Sequence, residues 1–317
     1  MKRKEFIETC SGLSRSELLE IAVNARKNVE KMISEDTKAM FHRLDEETVV
    51  EERYFETGWG KTHVYVVRSL NHKDEKLPVV VNAHGGCWAL EHSERDLYFC
   101  RRMAYLAGCV VFDIDYVLAP EHPYPAAIEE IEAFINILPE ICEKYNGDMT
   151  RLLYCGQSAG GNLLGAVTQR RKTVVTPVAQ ILCYPPTDNY NDHFHGSELD
   201  ERGMRTEYYG FFYNQNFEER SNHDVSIAFS TVEELKGLPD TDVITAGMDT
   251  LCPEGERYAN LLKEAGVKTT YRCFANSRHG FAVNLYDEWK EGETYIVELM
   301  KKHFAVEKMI CDRMLES

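Results

Sequence analysis

Arg151 to Leu164 read RLLYCGQSAGGNLL. Leu152, Leu153 and Tyr154 form a short buried strand on this reading. Gly156-Gln157-Ser158-Ala159-Gly160 is a G-x-S-x-G turn, and Asn162 onward continues as a helix. A serine at the apex of such a turn is held in a strained backbone conformation, tolerated only where residues two positions away lack bulk. Gly156 and Gly160 meet that condition. The hydroxyl is then pushed outward, and the backbone N–H of Ala159, at a helix N-terminus, is directed at negative charge developing on a carbonyl oxygen. The same pattern also suits a glycine-rich connection with no chemistry, so the flanking chain has to decide.

Upstream, TVVEERYF and THVYVVR flank Gly58-Trp59-Gly60 and predict an antiparallel hairpin over 47–68. Leu77 to Ala83 is a continuous apolar run, suited to a strand buried on both faces. From there strand and helix alternate: a helix over 93–107, a strand over 109–115, a helix over 125–143 and the strand ending at Tyr154. Downstream follow the helix after Ser158, strands over 178–184 and 242–247, a helix over 254–266, a strand over 267–274 and a closing helix from near Glu291. This alternation predicts an α/β fold: a mostly parallel central sheet with helices on both faces.

Two regions lie outside that rhythm. Residues 14–35 read as an amphipathic helix opened by a capping box of Ser14 and Glu17, with Leu18, Ala22, Ala25, Val29 and Met32 on one face. Residues between Tyr184 and Asp242 are rich in Asn, His, Tyr and Phe and too long for an ordinary connection, which predicts a folded, helical cap over a binding site. The expected organisation is an N-terminal helical segment (1–45), an α/β domain (46–185 and 236–317) and a cap insertion (186–235).

A serine nucleophile needs a base to take its proton and an acid to orient that base. In open α/β sheets such residues come just after strands. His279 follows the strand ending near Phe274, and Asp249 follows DVITAG by two residues. Asp240 and Asp242 precede that strand, at the wrong edge. His193, His195 and His223 belong to the insertion, and His303 to the last helix. The order Ser158, Asp249, His279 is the one associated with this topology. Directly after the apolar strand comes His84-Gly85-Gly86-Cys87-Trp88, where successive glycines let backbone N–H groups converge on an oxyanion. His84 is read as bracing that loop, and Trp88 as packing on the pocket wall. Asp115 to Ala127, with three prolines, is a rigid scaffold loop whose Pro125 opens a helix. Asp113 and Asp115 are assigned to opposite strand faces, so no shared metal ion is expected.

The 317 residues carry 36 Lys plus Arg against 52 Asp plus Glu, a net charge of −16. Such a surface repels phosphate backbones and argues against nucleic acid and anionic membranes, and at long range against highly anionic substrates. No secretory signal, membrane-spanning apolar run or cysteine metal spacing is read in the chain. The 10 cysteines are read as reduced thiols in a cytoplasmic protein.

HGGCW, DYVLAPEHPYPAA, GQSAGG, TAGMDTL and SRHGF occur in this order across roughly residues 77–285. Together they resemble the hormone-sensitive-lipase-like family of α/β-hydrolase-fold carboxylesterases. The resemblance implies a serine esterase with Ser158 as nucleophile, His279 as general base and then acid, and Asp249 as the orienting carboxylate. It implies an oxyanion hole from backbone N–H groups of Gly85, Gly86, Cys87 and Ala159, with Trp88 and Gln157 at the substrate pocket, and a cap to which the N-terminal segment 1–45 contributes beside the 186–235 insertion, over a catalytic domain of 46–185 and 236–317. Cys87 replaces the family's third glycine, Gln157 its acid before the serine, and Val117 a common arginine.

The expected reaction is hydrolysis of small, short-acyl esters through an acyl-enzyme, with no cofactor and no metal. The short-acyl preference follows from the lack of a lipid-facing stripe and a polar-aromatic cap. An amidase or deacetylase with the same residues, or a non-catalytic ligand-binding member of the fold, are the alternatives. The expected partner is a small-molecule ester, without nucleic acid or membrane span, and a homodimer is the assembly left open.

Overall fold

The computed structural model describes residues 1–27, 35–72, 76–193 and 196–315. Three helices open the chain: α1 (Arg3–Ser11), α2 (Arg15–Lys27) and α3 (Glu35–Glu47). The hairpin β1 (Thr48–Glu56) and β2 (Lys61–Ser69) follows, then β3 (Leu77–Ala83), α4 (Glu94–Ala107), β4 (Val110–Asp115) and α5 (Ala126–Cys142). Next come β5 (Gly147–Gln157), α6 (Ala159–Arg170), β6 (Ala179–Cys183), α7 (Glu201–Tyr213) and α8 (Val232–Leu235). The chain closes with β7 (Asp240–Ala246), α9 (Cys252–Glu264), β8 (Thr269–Phe274), α10 (Phe281–Asn284) and α11 (Trp289–Leu315).

These strands make one eight-stranded sheet in the order β1-β2-β4-β3-β5-β6-β7-β8. The β1/β2 and β2/β4 pairs are antiparallel and every other pair is parallel. Alternate side chains of one strand leave on opposite faces, and the core divides accordingly. Val79, Val81, Phe112, Leu152 and Tyr154 pack with α5, α6 and α9, whereas Val80, Val111, Leu153 and Cys155 pack with α4 and α11. Both faces are covered, which is why β3 reads as an apolar run broken only by Asn82.

The expected α/β architecture holds, with three local differences. β5 continues past Tyr154 to Gln157, and α6 begins at Ala159 rather than near Asn162. Parallel pairing of Gly156 and Gln157 with β6 carries the strand up to the turn. Helices α1 and α3 were not foreseen. The capping box is present: Ser14 N–H donates to Glu17 Oε2 at 2.8 Å, and Glu17 N–H to Ser14 Oγ at 3.4 Å. Leu18 and Ala22 are buried, while Val29 and Met32, like His195, lie outside the described residues. Arg26 anchors α2 over the loops after β3 and β4. It makes a two-pronged bond to Glu121 at 2.7 and 2.8 Å and donates to the carbonyls of Ala89 and Ala119. No helix among the described residues is long and apolar enough to cross a membrane.

Candidate active site

Ser158 sits between β5 and α6 at φ 52°, ψ −120°, outside the ordinary regions for a residue with a Cβ. The turn closes because its flanks are bare. A Cβ on Gly156 would lie 2.5 Å from the Gly160 carbonyl oxygen, and one on Gly160 would lie 1.9 Å from that of Ala83. The elbow is thereby pressed against the end of β3, where the His84–Trp88 loop begins.

Two other strand ends deliver partners. Asp249 follows β7, its N–H bonded to the carbonyl of Ala246, and His279 follows β8. His279 Nδ1 lies 2.5 Å from Asp249 Oδ2, and Nε2 lies 2.8 Å from Ser158 Oγ. A carboxylate only accepts, so Nδ1 carries the proton and Nε2 accepts from the serine hydroxyl. Tyr286 OH donates to the His279 carbonyl, and the Tyr184 ring meets the imidazole edge to face at 5.1 Å. As expected, Asp242 is at the other end of β7, where its carboxylate takes His303 Nε2 at 2.6 Å.

The glycine loop lies against this elbow: a Cβ on Gly85 would be 3.3 Å from Ser158 Cβ. Cys87 and Trp88 both adopt positive φ, 52° and 59°, so the loop keeps its turn without a third glycine. The N–H groups of Gly86 and Ala159 have no acceptor among the described residues. Trp88 donates Nε1–H to Asn162 Oδ1 at 3.2 Å and stacks on Tyr213 of α7 at 4.5 Å, which ties the loop to the insertion. His84 is fully buried and held neutral by burial. It donates Nδ1–H to the Gly85 carbonyl at 2.6 Å and stacks on Tyr116.

Gln157 does not line the pocket. As the last residue of β5 it shares a face with Cys155, and its Nε2 donates inward to Asn82 Oδ1 at 2.9 Å. Asn82 donates in turn to Asp113 Oδ1 at 2.7 Å, and Asp113 Oδ2 meets His92 Nε2 at 2.8 Å. Burial alone would push His92 down, but the Asp113 charge and the hydrogen bond to it hold the imidazole at about 9. Burial likewise opposes the Asp113 charge, and His92 with Asn82 outweighs it, keeping that carboxyl below its usual range.

Asp113 and Asp115 are also not on opposite faces. Residues two apart on a strand share one, and both carboxylates address histidines on it, Asp113 taking His92 and Asp115 taking His63 Nδ1 at 2.8 Å. On the far side of β4, Val117 N–H donates to Glu130 Oε2 at 2.6 Å. Glu130 is buried with no cation beside it among the described residues, and burial pushes its carboxyl up to about 7.

Above Ser158, Asp249 and His279 is a cavity of about 150 Å³, also lined by Trp88, Cys87, Tyr209, His193, Arg3 and Arg220. Arg3 and Arg220 were not singled out in the sequence, and His193 was set aside as an insertion residue; packing of α1 and the insertion brings all three to the rim.

A family model described as alpha/beta hydrolase fold matches residues 80–283. Among curated proteins, carboxylesterase NlhH of Mycobacterium tuberculosis is 31% identical over 65% of this chain and 67% of its own length. Carboxylic ester hydrolase LipN of the same organism is 33% identical over 66% of this chain and 58% of its own. Among solved structures, the hyperthermophilic esterase from Pyrobaculum calidifontis superposes with a TM-score of 0.75 at 27% identity, covering 92% of this chain and 98% of that one. With the family match spanning well over half the chain and these relatives beside it, the chain belongs to the hormone-sensitive-lipase-like carboxylesterases of the α/β hydrolase fold.

Proposed function

We propose that this carboxylic ester hydrolase cleaves small, short-acyl esters with Ser158 as nucleophile, His279 as base and acid, and Asp249 as the orienting carboxylate. The observation that carries the reading is the continuous line from Asp249 Oδ2 through His279 to Ser158 Oγ, at 2.5 and 2.8 Å. Ser158 Oγ adds to the ester carbonyl carbon as its proton passes to His279 Nε2. The negative charge on the former carbonyl oxygen falls to N–H groups of the Gly85–Cys87 loop and Ala159. Collapse breaks the C–O bond, the alcohol leaves with the proton from Nε2, and an acyl-Ser158 remains. Water then adds as Nε2 takes its proton, and the acid departs as the proton returns to Ser158.

Segments 1–45 and 186–235 act together as the cap on this reading, with Arg3, Tyr209 and Arg220 drawn from them into the cavity lining. At about 150 Å³ the cavity is small beside the several hundred Å³ common for ligand pockets, which favours short acyl groups. The nine cysteines with described side chains are free, which supports a reducing, cytoplasmic setting. Turnover of p-nitrophenyl acetate, butyrate and palmitate by wild type and Ser158→Ala tests the assignment, alongside labelling by a fluorophosphonate. Loss of both activity and label in the variant, and a maximum at the short esters, are expected. Full activity in Ser158→Ala, or a maximum at palmitate, would overturn the corresponding part.

A further inference from the structure

Arg220 stands on the cavity wall with a charge that its neighbours leave unbalanced. It lies in the 3-10 turn Glu218–Ser221 and is 2% exposed. Its Nε donates to the Asn214 carbonyl at 3.2 Å, and Nη1 reaches Glu207 Oε2 only at 3.5 Å, the outer limit of a hydrogen bond. Nη2 has no acceptor among the described residues. Glu207 is already engaged, because its Oε1 accepts from Arg3 Nε at 2.6 Å. Arg3 is satisfied further by the carbonyls of Tyr190 and Asn189 at 2.6 and 3.3 Å. One carboxylate therefore serves two guanidinium groups, and Arg220 is the one left short of partners.

The other charges around the cavity are matched. Asp188 takes Arg257 at 2.5 Å, His193 takes Glu254 at 3.0 Å, and Asp249 takes His279. Burial pushes the Arg220 guanidinium down to about 10, so it remains cationic at neutral pH. Its position is fixed: it lies over the Phe217 ring at 5.3 Å, and Gly210 leaves it room, since a Cβ there would sit 3.3 Å from Nη1. A buried cation short of acceptors is costly unless an anion completes it, and a guanidinium presents the paired donors that suit a carboxylate.

We infer that the cavity takes esters that themselves bear a carboxylate, seated on Arg220 while Ser158 faces the ester carbonyl. The small cavity favours half-esters of short dicarboxylic acids and short acylated hydroxy acids. The net charge of −16 opposes such ligands at a distance, but at physiological salt that field is screened within about 8 Å, and Arg220 acts at contact.

The inference rests on the hydrolase reading of the same site, and the experiment separates the two. Hydrolysis is followed by pH-stat for monomethyl against dimethyl glutarate, which puts the carboxylate on the acyl side. Acetoxyacetic acid against acetoxyacetamide puts it on the alcohol side. In at least one pair kcat/KM is expected to favour the carboxylate tenfold or more, and Arg220→Gln to bring that ratio near one. Should Arg220→Gln fail to fold, glutarate against glutaramide as inhibitors of wild-type p-nitrophenyl acetate turnover gives the same reading, with glutarate at least tenfold tighter. Labelling of Ser158 by fluorophosphonate together with no carboxylate preference in either pair, or equal inhibition, overturns the anionic subsite alone. No labelling and no ester cleavage overturns the hydrolase reading beneath it.

Discussion

Gly160 and Ala83 approach so closely that a single added carbon on Gly160 would lie 1.9 Å from the Ala83 carbonyl oxygen. That contact joins the Ser158 turn to the strand that carries the glycine loop, so the two halves of the candidate site share one backbone junction. Gly160→Ala cannot be relieved by a rotamer change and has to displace backbone. A loss on the order of 3 kcal/mol or more is expected, together with loss of ester turnover. Gly58→Ala, where a Cβ meets nothing within 4 Å, should fall within about 0.5 kcal/mol of wild type. Thermal unfolding of the two variants side by side checks this, and equal melting temperatures would remove the argument.

Asp249 holds the imidazole in the tautomer whose Nε2 can accept from Ser158. In Asp249→Asn the amide can donate to Nδ1 and turn the proton to Nε2, so kcat should fall by about 10³ to 10⁴ while the fold persists. Stopped assays at matched circular dichroism would test it. A fall of less than tenfold speaks against the role.

Glu130 supplies a pH signature of stability. Its carboxyl is raised from 4.5 to about 7, so between those values the folded chain holds a proton that the unfolded chain has released. Stability from this group is complete below pH 4.5 and declines as pH rises through 7, by an amount on the order of 3 kcal/mol. Glu130→Gln cannot ionise and escapes the decline. The variant should match wild type near pH 4.5 and be the more stable of the two at pH 8. Denaturant titrations at both pH values decide the matter, and a wild type that outlasts the variant at pH 8 would refute it.

His92 acts in a higher window. Held at about 9 against an ordinary 6.5, its protonated form favours the folded state fully below pH 6.5, and that contribution fades as pH climbs through 9. His92→Gln should therefore cost on the order of 3 kcal/mol at pH 6 and much less at pH 9.5. A gap between wild type and variant that stays constant over this range would show that the Asp113 pair is not what stabilises the fold.

Much of this site was legible before any coordinates. The G-x-S-x-G turn, the apolar β3 run and the placement of Asp249 and His279 just past strands are local patterns. They follow from steric limits at one turn and from side-chain alternation along one strand, and the sheet order then brings the three strand ends to one rim. Charge partners were not legible. The family resemblance put Gln157 at the pocket, but β5 runs three residues past Tyr154 and turns it inward to Asn82. The supposed separation of Asp113 from Asp115 failed because residues two apart on a strand share a face.

By itself, then, the sequence determined the alternating fold and singled out Ser158, Asp249 and His279, which the structure brings into contact, because both readings rest on spacing within short segments. Tertiary structure alone decided what surrounds them: that Arg3 from the first helix and Arg220 from the insertion share one carboxylate at the cavity wall, and that Glu130 is buried with no cation beside it among the described residues. Those outcomes depend on segments up to 204 residues apart meeting in space, and no periodicity along the chain encodes such a meeting.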